Sequence, residues 1–485
     1  MTFRSFRFLV SASSLLLCPL SFPRACTIGA FGPNSTVDGR TILWKNRDVS
    51  DPNQAMRFFR GSRYRYVTNV YAGDTFNAWA GYNEVGFAIM NSNSFNIAGR
   101  DGLDADDGTI MSLALATCAS LEEFSLLLDS LNISGRETPA NFGVFDSTGA
   151  TAMFEASNLF YVRHDADEDS LGFQIRANYS MSGNPGRMTG RERYLRAMQL
   201  AVPARQQDRI DVRFIIYTLA RDVGALNFDP YPLPFDGVIG ELPRGYLPTE
   251  SSLCRVTTRS VEIMVGPRPG WSAASSMMWV MLGPAEVSIP VPVWVQAGPM
   301  PELIDGTHQS ILCDEALRLH DFIHSAPEFP GAVNTFRLKQ LYDNFAATES
   351  LLLRCVDSCE AAWGPTGPTS EQARWVTSYA ANLVLGAYVD FWDSMNRDGT
   401  VVIGDRGAGA WQNVSRDTVL FRLPPGTATG TVGIYDAGGR QVAAMAPQPG
   451  QSLIRWLPAG LRSGSYFAVF PALSGLRPLR FTFLR

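Results

Sequence analysis

Residues 26–48 read CTIGAFGPNSTVDGRTILWKNRD. Two short apolar, β-prone runs, TIGAF and TILWKN, flank a segment rich in turn formers, GPNSTVDGR, which is the pattern of a β-hairpin. Pairing the two runs places Thr27 nearly opposite Lys45 and sets Cys26 beside Lys45, Arg47 and Asp48. One local turn therefore brings a thiol next to two cations and a carboxylate.

What precedes Cys26 makes that thiol unusual. Arg4 and Arg7 are followed by an apolar run from about Phe8 to Leu20 and then by Ser21 to Ala25. That order is a secretory signal peptide, and its apolar run falls short of the roughly 20 residues of a membrane span. A cut after Ala25, with Pro23 two positions before the cut residue, makes Cys26 the first residue of the mature chain. No later segment reads as transmembrane. Removal of the leader takes Cys18 with it and leaves Cys26, Cys118, Cys254, Cys313, Cys355 and Cys359. If Cys26 stays free, at most two disulfides can form among the others. Cys355 and Cys359 share one face of a helix.

The chain has 485 residues and is 46% hydrophobic, which fits two or three globular domains with substantial cores. Its formal net charge of −5, without a basic patch, argues against nucleic acid as the main partner. Lys45 and Lys339 are the only lysines, against many arginines, so a lysine at position 45 invites a functional question.

From Cys26 to about residue 300 strands dominate. MSLALATCASLEEFSLLLDSL reads as two consecutive helices, with Ser120 and Glu123 forming a capping box at the second start. NFGVFDSTGATAMFEAS reads as a hairpin turning at Asp146–Gly149, RERYLRAMQLA begins a helix, and SVEIMVGP and SIPVPVWV are late strands. Strand runs interspersed with paired helices predict α+β layers rather than a βαβ repeat. Residues 301–396 show apolar recurrence at three- and four-residue spacing, the mark of helices, broken once at GPTGPTS. Residues 397–485 read as short strands and turns, a small β-sandwich with no His, Cys or Lys.

An N-terminal cysteine carries its own base. Thiolate is the nucleophile, and an ordinary thiol has a pKa of about 8.5. An α-amine, with a pKa of about 7.7–8.0, can take the thiol proton near neutral pH. Asp48 is placed to hold that amine, and Lys45 to favour thiolate or hold substrate.

The opening stretch resembles the linear amide C–N hydrolases, the group of choloylglycine hydrolases, penicillin V acylases and isopenicillin-N acyltransferase relatives. That family opens with Cys, a hairpin, then Arg-Asn-x-Asp, onto which Lys45-Asn46-Arg47-Asp48 falls. Lysine replaces arginine here, which keeps the charge and loses the planar fork, and Arg47 is available to supply part of that role. Further segments match in order. GYNEVGFAIMNSNSF is similar to the Asn-Glu-x-Gly segment that precedes an oxyanion-hole asparagine, implying Asn93, with Asn91 as the rival. NFGVFDSTGATAMFE ends in Glu155. RANYS implies Asn178 as a strand-end asparagine. RERYLRA implies Arg193, with Arg191 and Arg196 as alternatives. The resemblance covers roughly Cys26 to Trp294.

It implies an αββα N-terminal-nucleophile sandwich: two antiparallel sheets face to face, helices outside, and the nucleophile at a strand end between the sheets. It also implies a thioester mechanism needing no metal or organic cofactor, acting on a small-molecule amide or N-acyl substrate. A dipeptidase of the same superfamily, which also opens Cys-Thr and carries Arg-Asn-x-Asp, and an acyltransferase are the neighbouring readings. A surface adhesin that has lost activity is the reading from another class. The C-terminal segment VGIYDAGGRQV, with Trp456, SGSYFAVF and a basic last strand, resembles hook-capping immunoglobulin-like modules and the sorting domains of type IX secretion. With the leader, it implies a secreted or cell-surface protein handled by signal peptidase and export machinery.

Other candidates read as structural. His320 and His324 share a helical face at i, i+4, but HDFIH lacks the glutamate of a zinc protease at the required place. DGLDADDG reads as a solvated acidic loop rather than an EF-hand. No nucleophile-elbow serine is present.

Overall fold

The strands that carry the site are buried on both faces: every residue of Thr27–Phe31 and of Ile42–Asp48 is buried. In the computed structural model, residues 26–97, 106–305, 310–326, 328–395, 400–403, 413–415, 418–422, 431–436, 439–446, 453–456, 464–469 and 479–483 are described. The leader reading of residues 1–25 lies outside them. Two compact units emerge: one of Met1–Thr335 and Cys359–Thr377, the other of Phe336–Ser358 and Ser378–Arg485. The division runs through two long helices.

In chain order the first unit's strands are β1 (Thr27–Phe31), β2 (Ile42–Asp48), β3 (Gln54–Arg60), β4 (Arg65–Tyr71), β5 (Ala80–Asn83), β6 (Ala88–Asn93), β7 (Ala140–Phe145), β8 (Thr151–Ala156), β9 (Tyr161–Asp165), β10 (Phe173–Arg176), β11 (Tyr246–Pro248), β12 (Thr258–Val265), β13 (Met277–Leu282), β14 (Val291–Val293) and β15 (Ala332–Asn334). Its helices include α1 (Asp107–Thr117), α2 (Leu121–Ser134), α3 (Arg191–Gln206), the short α4 (Val212–Phe214) and α5 (Ile311–Ile323). The helices α6 (Thr335–Trp363) and α7 (Ser370–Met395) follow, separated by a single turn at Gly364–Thr366, within the GPTGPTS break.

Two antiparallel sheets dominate. The first has the order β10-β1-β2-β12-β13-β14 and the second β3-β4-β5-β6-β7-β8-β9. Strands β1 and β2 pack against β6 and β7. A buried ion pair fastens the sheets together: Arg176 Nε on β10 donates to Glu155 Oε1 on β8 at 2.6 Å. Removing either partner from such a pair costs about 3–5 kcal/mol, because the other charge is left buried alone.

The other face of the second sheet is covered by α1 and α2. Phe124 on α2 packs edge-on against Phe142 and Phe154, with ring centroids 5.7 and 5.0 Å apart, inside a cluster that includes Ile89, Ile110, Met111, Leu115 and Leu128. The capping box forms with a shift. Ser120 accepts from the Glu123 N–H, while Glu123 Oε2 reaches back to the N–H of Ala119.

The hairpin turns at the expected places. At β7–β8, Gly149 takes φ +94°, a left-handed value that suits glycine. At β5–β6, Asn83 Oδ1 accepts from the Phe87 N–H and its Nδ2 donates to the carbonyls of Leu115 and Cys118. The Asn-Glu-x-Gly segment is thus a turn that also ties down the end of α1.

One expectation is corrected by a single residue. Thr27 pairs with Asn46, and Ile28 with Lys45. Because side chains alternate, a one-residue slip exchanges faces. Ile28 shares the inter-sheet face with Lys45, and Cys26, two residues before Ile28, falls on that same face. Thr27, Asn46 and Asp48 point the other way. All six cysteines from Cys26 onward are free thiols.

In the second unit, Phe345 on α6 packs edge-on against Tyr388 of α7 at 5.5 Å. Its strands are β16 (Thr400–Ile403), β17 (Asn413–Ser415), β18 (Thr418–Arg422), β19 (Val432–Asp436), β20 (Gln441–Met445), β21 (Leu453–Trp456), β22 (Gly464–Val469) and β23 (Leu479–Phe483). They form sheets of order β16-β18-β21 and β17-β23-β22-β19-β20, with parallel pairing at β16–β18 and β17–β23. No helix among the described residues is long and apolar enough to cross a membrane.

Candidate active site

Cys26 immediately precedes β1, and β2 ends beside it with Lys45 and Asp48. The thiol is 7% exposed. Burial pushes its pKa up, and the strongest opposing influence is the positive charge of Lys45, aided by a main-chain hydrogen bond from Asp48 and by Arg47. Lys45 is itself buried; its Nζ donates to the Trp79 carbonyl and to Asn91 Oδ1, both at 2.6 Å. Burial pulls the lysine below its ordinary value. The Cys26 thiol is the strongest influence favouring its charged form, with Glu262 and Asp107 adding to it.

On the opposite face of the same strand end, Arg193 of α3 reaches in. Its Nη1 donates to the Cys26 carbonyl at 2.8 Å and to Thr27 Oγ1 at 2.7 Å, and its Nη2 to Asn178 Oδ1 at 2.6 Å. Asn178 Nδ2 in turn donates to the Asn93 carbonyl at 3.1 Å. Cys26, Arg193, Asn178 and Asn93 are therefore one hydrogen-bonded chain. Of the alternatives to Arg193, Arg196 is spent on a bidentate pair with Asp222 at 2.9 and 2.8 Å, and Arg191 is exposed.

Asp48 is fully buried, with Oδ1 accepting from Thr258 Oγ1 at 2.6 Å and Oδ2 from Arg255 Nη1 at 3.3 Å. Burial raises its pKa, and Arg255 and Arg193 work against that rise. Glu155, through Arg176 and the N–H groups of Met181 and Ser182, holds both ends of the segment that carries Asn178.

The two asparagine candidates differ in availability. Asn91 has both ends of its amide engaged: Oδ1 accepts from Lys45, and Nδ2 donates to Asp107 Oδ2 at 2.6 Å. The Asn93 side chain, at the end of β6 and half-buried, makes no hydrogen bond among the described residues. A free amide donor at this place is what an oxyanion needs.

Several residues here were not singled out by sequence. Asp107 belongs to the acidic run read as solvated, yet it is buried and anchors Asn91; Asp106 caps α1 by accepting from the Thr109 N–H, and 101–105 lie outside the described residues. Glu262 of β12 pairs in register with Lys45, and Ser260 with Arg47. Glu262 is fully buried, with neither carboxyl oxygen in a close hydrogen bond among the described residues; burial raises its pKa, and Lys45, the Ser260 hydroxyl and Arg47 work against that rise. Arg47 stacks between Tyr71 and Trp79, with its guanidinium carbon 4.2 and 4.9 Å from the ring centres; Nη1 donates to Gln54 Oε1, while Nε and Nη2 have no hydrogen-bond partner among the described residues. An acid inside the apolar run SVEIMV is the signal that marks Glu262, since lone buried charges are costly.

No family model matches the chain, and no curated protein does. Solved structures resemble it distantly. A variant of conjugated bile acid hydrolase from Clostridium perfringens aligns with a TM-score of 0.35 and 13% identity over 58% of this chain and 94% of that one. Penicillin V acylase from Agrobacterium tumefaciens aligns with a TM-score of 0.34 and 13% identity over 56% and 86%. Penicillin G acylase from Alcaligenes faecalis aligns with 0.28 and 11% over 39% and 51%. Likenesses this low assign no residue role.

Proposed function

We propose that this chain is a secreted amide hydrolase of the N-terminal-nucleophile kind, built as an αββα sandwich, with Cys26 as attacking group. The observation that carries the reading is the strand end itself. Cys26 lies beside Lys45 on one face, while Arg193 clamps its carbonyl from the other and leads through Asn178 to Asn93. Export cleavage after Ala25 frees the α-amine. The amine takes the thiol proton as Sγ bonds to the amide carbon, and the Asn93 amide donates to the oxyanion. The ammonium then returns the proton to the leaving amine as the C–N bond breaks. Water hydrolyses the thioester, giving the acid and restoring the thiol. The C-terminal strands, by their sequence resemblance, serve export or surface attachment.

The buried guanidinium N–H groups of Arg47 and carboxyl oxygens of Glu262 that lack close hydrogen-bond partners among the described residues favour one substrate class. A carboxylate satisfies the free guanidinium N–H groups and an N–H donor satisfies the buried acid, a combination found in dipeptides and N-acyl amino acids. A panel of N-acyl amino acids, dipeptides, bile-salt conjugates and β-lactams against the processed enzyme tests this. Turnover confined to apolar amides rejects the substrate class, and no turnover of any amide favours the adhesin reading.

Asn93→Ala is expected to lower kcat by about 10²–10³ with KM little changed, the loss typical of one oxyanion donor. Steady-state kinetics check it. An unchanged kcat removes Asn93 from the mechanism.

A further inference from the structure

Away from Cys26, α5 and the residue that caps its C-terminus bring two histidines to a buried carboxylate. The His320 and His324 rings lie 4.1 Å apart, centre to centre. Both Nε2 atoms face Oε1 of Glu286, from the β13–β14 connection, at 3.9 and 3.4 Å. One ligand atom from each residue lies within 4.8 Å of the others. His324 Nδ1 is 2.9 Å from the Ala332 carbonyl oxygen, which only accepts, so that nitrogen carries the hydrogen and Nε2 of the neutral ring offers a lone pair. Among the described residues His320 Nε2 is buried without a side-chain hydrogen-bond partner, the ring lies against the Val256 main chain, and its Nδ1 faces Asp321 Oδ1 at 3.7 Å. The second oxygen of Glu286 is held by the Cys254 thiol at 2.7 Å. One oxygen of Glu286 and the two Nε2 atoms thus converge on one buried point, an arrangement that suits a cation.

We propose that Glu286, His320 and His324 form a structural site for one zinc-class divalent ion, bound through the carboxylate and two Nε2 atoms, with the Cys254 thiol orienting the carboxylate. Zinc bonds of about 2.0–2.2 Å in a tetrahedron put ligand atoms about 3.3–3.6 Å apart, so the Glu286–His324 distance already fits and His320 closes by a few tenths of an ångström. The backbone carbonyl behind His324 is the outer partner that zinc-binding histidines usually have. Two histidines, a carboxylate and a neighbouring thiol favour zinc over calcium or magnesium, which take oxygen ligands.

The site sits where it supports the strand end. Cys254 adjoins Arg255, and Arg255 and Thr258 are the residues that hold Asp48. The ion ties α5 to the loop that positions Asp48, and it stands independently of the amide chemistry. Sequence alone withheld it because Glu286 lies 38 positions before His324 and supplies the ligand that HDFIH lacks.

The test uses the full chain purified without chelators. Elemental analysis is expected to give about one zinc per chain, and cobalt added to chelator-stripped protein should give a tetrahedral visible spectrum saturating at one equivalent. His324→Gln and Glu286→Gln should each weaken zinc binding by about 100-fold or more, and Cys254→Ala by about 10- to 100-fold at unchanged stoichiometry. Folded wild-type protein that carries no zinc and shows no cobalt spectrum at millimolar metal overturns the proposal without recourse to variants. So does binding that persists undiminished in both ligand variants.

Discussion

Cys26→Ala is expected to abolish amide turnover, by a factor of about 10⁴ or more, with little change in thermal stability. The loss is large because the thiol is the only atom in the proposed reaction that bonds to substrate. The Asn93 amide, the Arg193 clamp and the strand end remain, so substrate still binds and the residual rate reflects positioning alone. Stability is spared because the deletion removes one sulfur at the start of β1, and Arg193 reaches the main-chain carbonyl and Thr27 rather than the thiol. An acyl-transferring probe that labels wild type and leaves the alanine variant unlabelled, measured alongside a melting curve, checks both halves. Equal labelling of the two proteins rejects the nucleophile.

Lys45→Met is expected to move the acid limb of the kcat/KM–pH profile upward by about one unit or more and to lower kcat/KM at pH 7 by about 10-fold or more. The sign follows from the charges around the thiol. Burial raises the Cys26 pKa, and Lys45 is the strongest influence that lowers it. Activity rises with pH as the thiol becomes able to yield its proton to the amine, so loss of the ammonium delays that rise to higher pH. Burial also pulls Lys45 below its ordinary pKa, so in wild type its help fades at alkaline pH and the two profiles should converge there. A methionine leaves the Trp79 carbonyl and Asn91 Oδ1 without their donor, at a cost of about 1–3 kcal/mol for each buried group, so a control melt separates folding from catalysis. A profile that keeps its midpoint removes Lys45 from thiol activation.

Much of this arrangement is legible before any coordinates. The opening hairpin, the α1–α2 pair and the β7–β8 turn at Asp146–Gly149 follow from alternation, capping and turn chemistry that act within a few residues. Cys26, Lys45 and Asp48 come together by that same local logic. Arg193 and Asn178 came from resemblance, and their packing against Cys26 is a long-range fact that no local pattern encodes. The hairpin register missed by one residue because GPNSTVDGR includes a short helical turn at Pro33–Ser35 that shifts the pairing. Asp107, Glu262 and Glu286 escaped for a shared reason. Each is an acid whose partners are brought by other strands or helices, and an acid read alone looks like solvated surface.

The most direct measurement is the intact mass of the active, exported protein, taken before and after exposure to a slowly hydrolysed acyl amide. The account predicts a chain that begins at Cys26 and gains the mass of one acyl group on that residue, because only then does the thiol have a free amine beside it to accept its proton. An active protein that retains residues ahead of Cys26, its nitrogen still bound in a peptide, contradicts it.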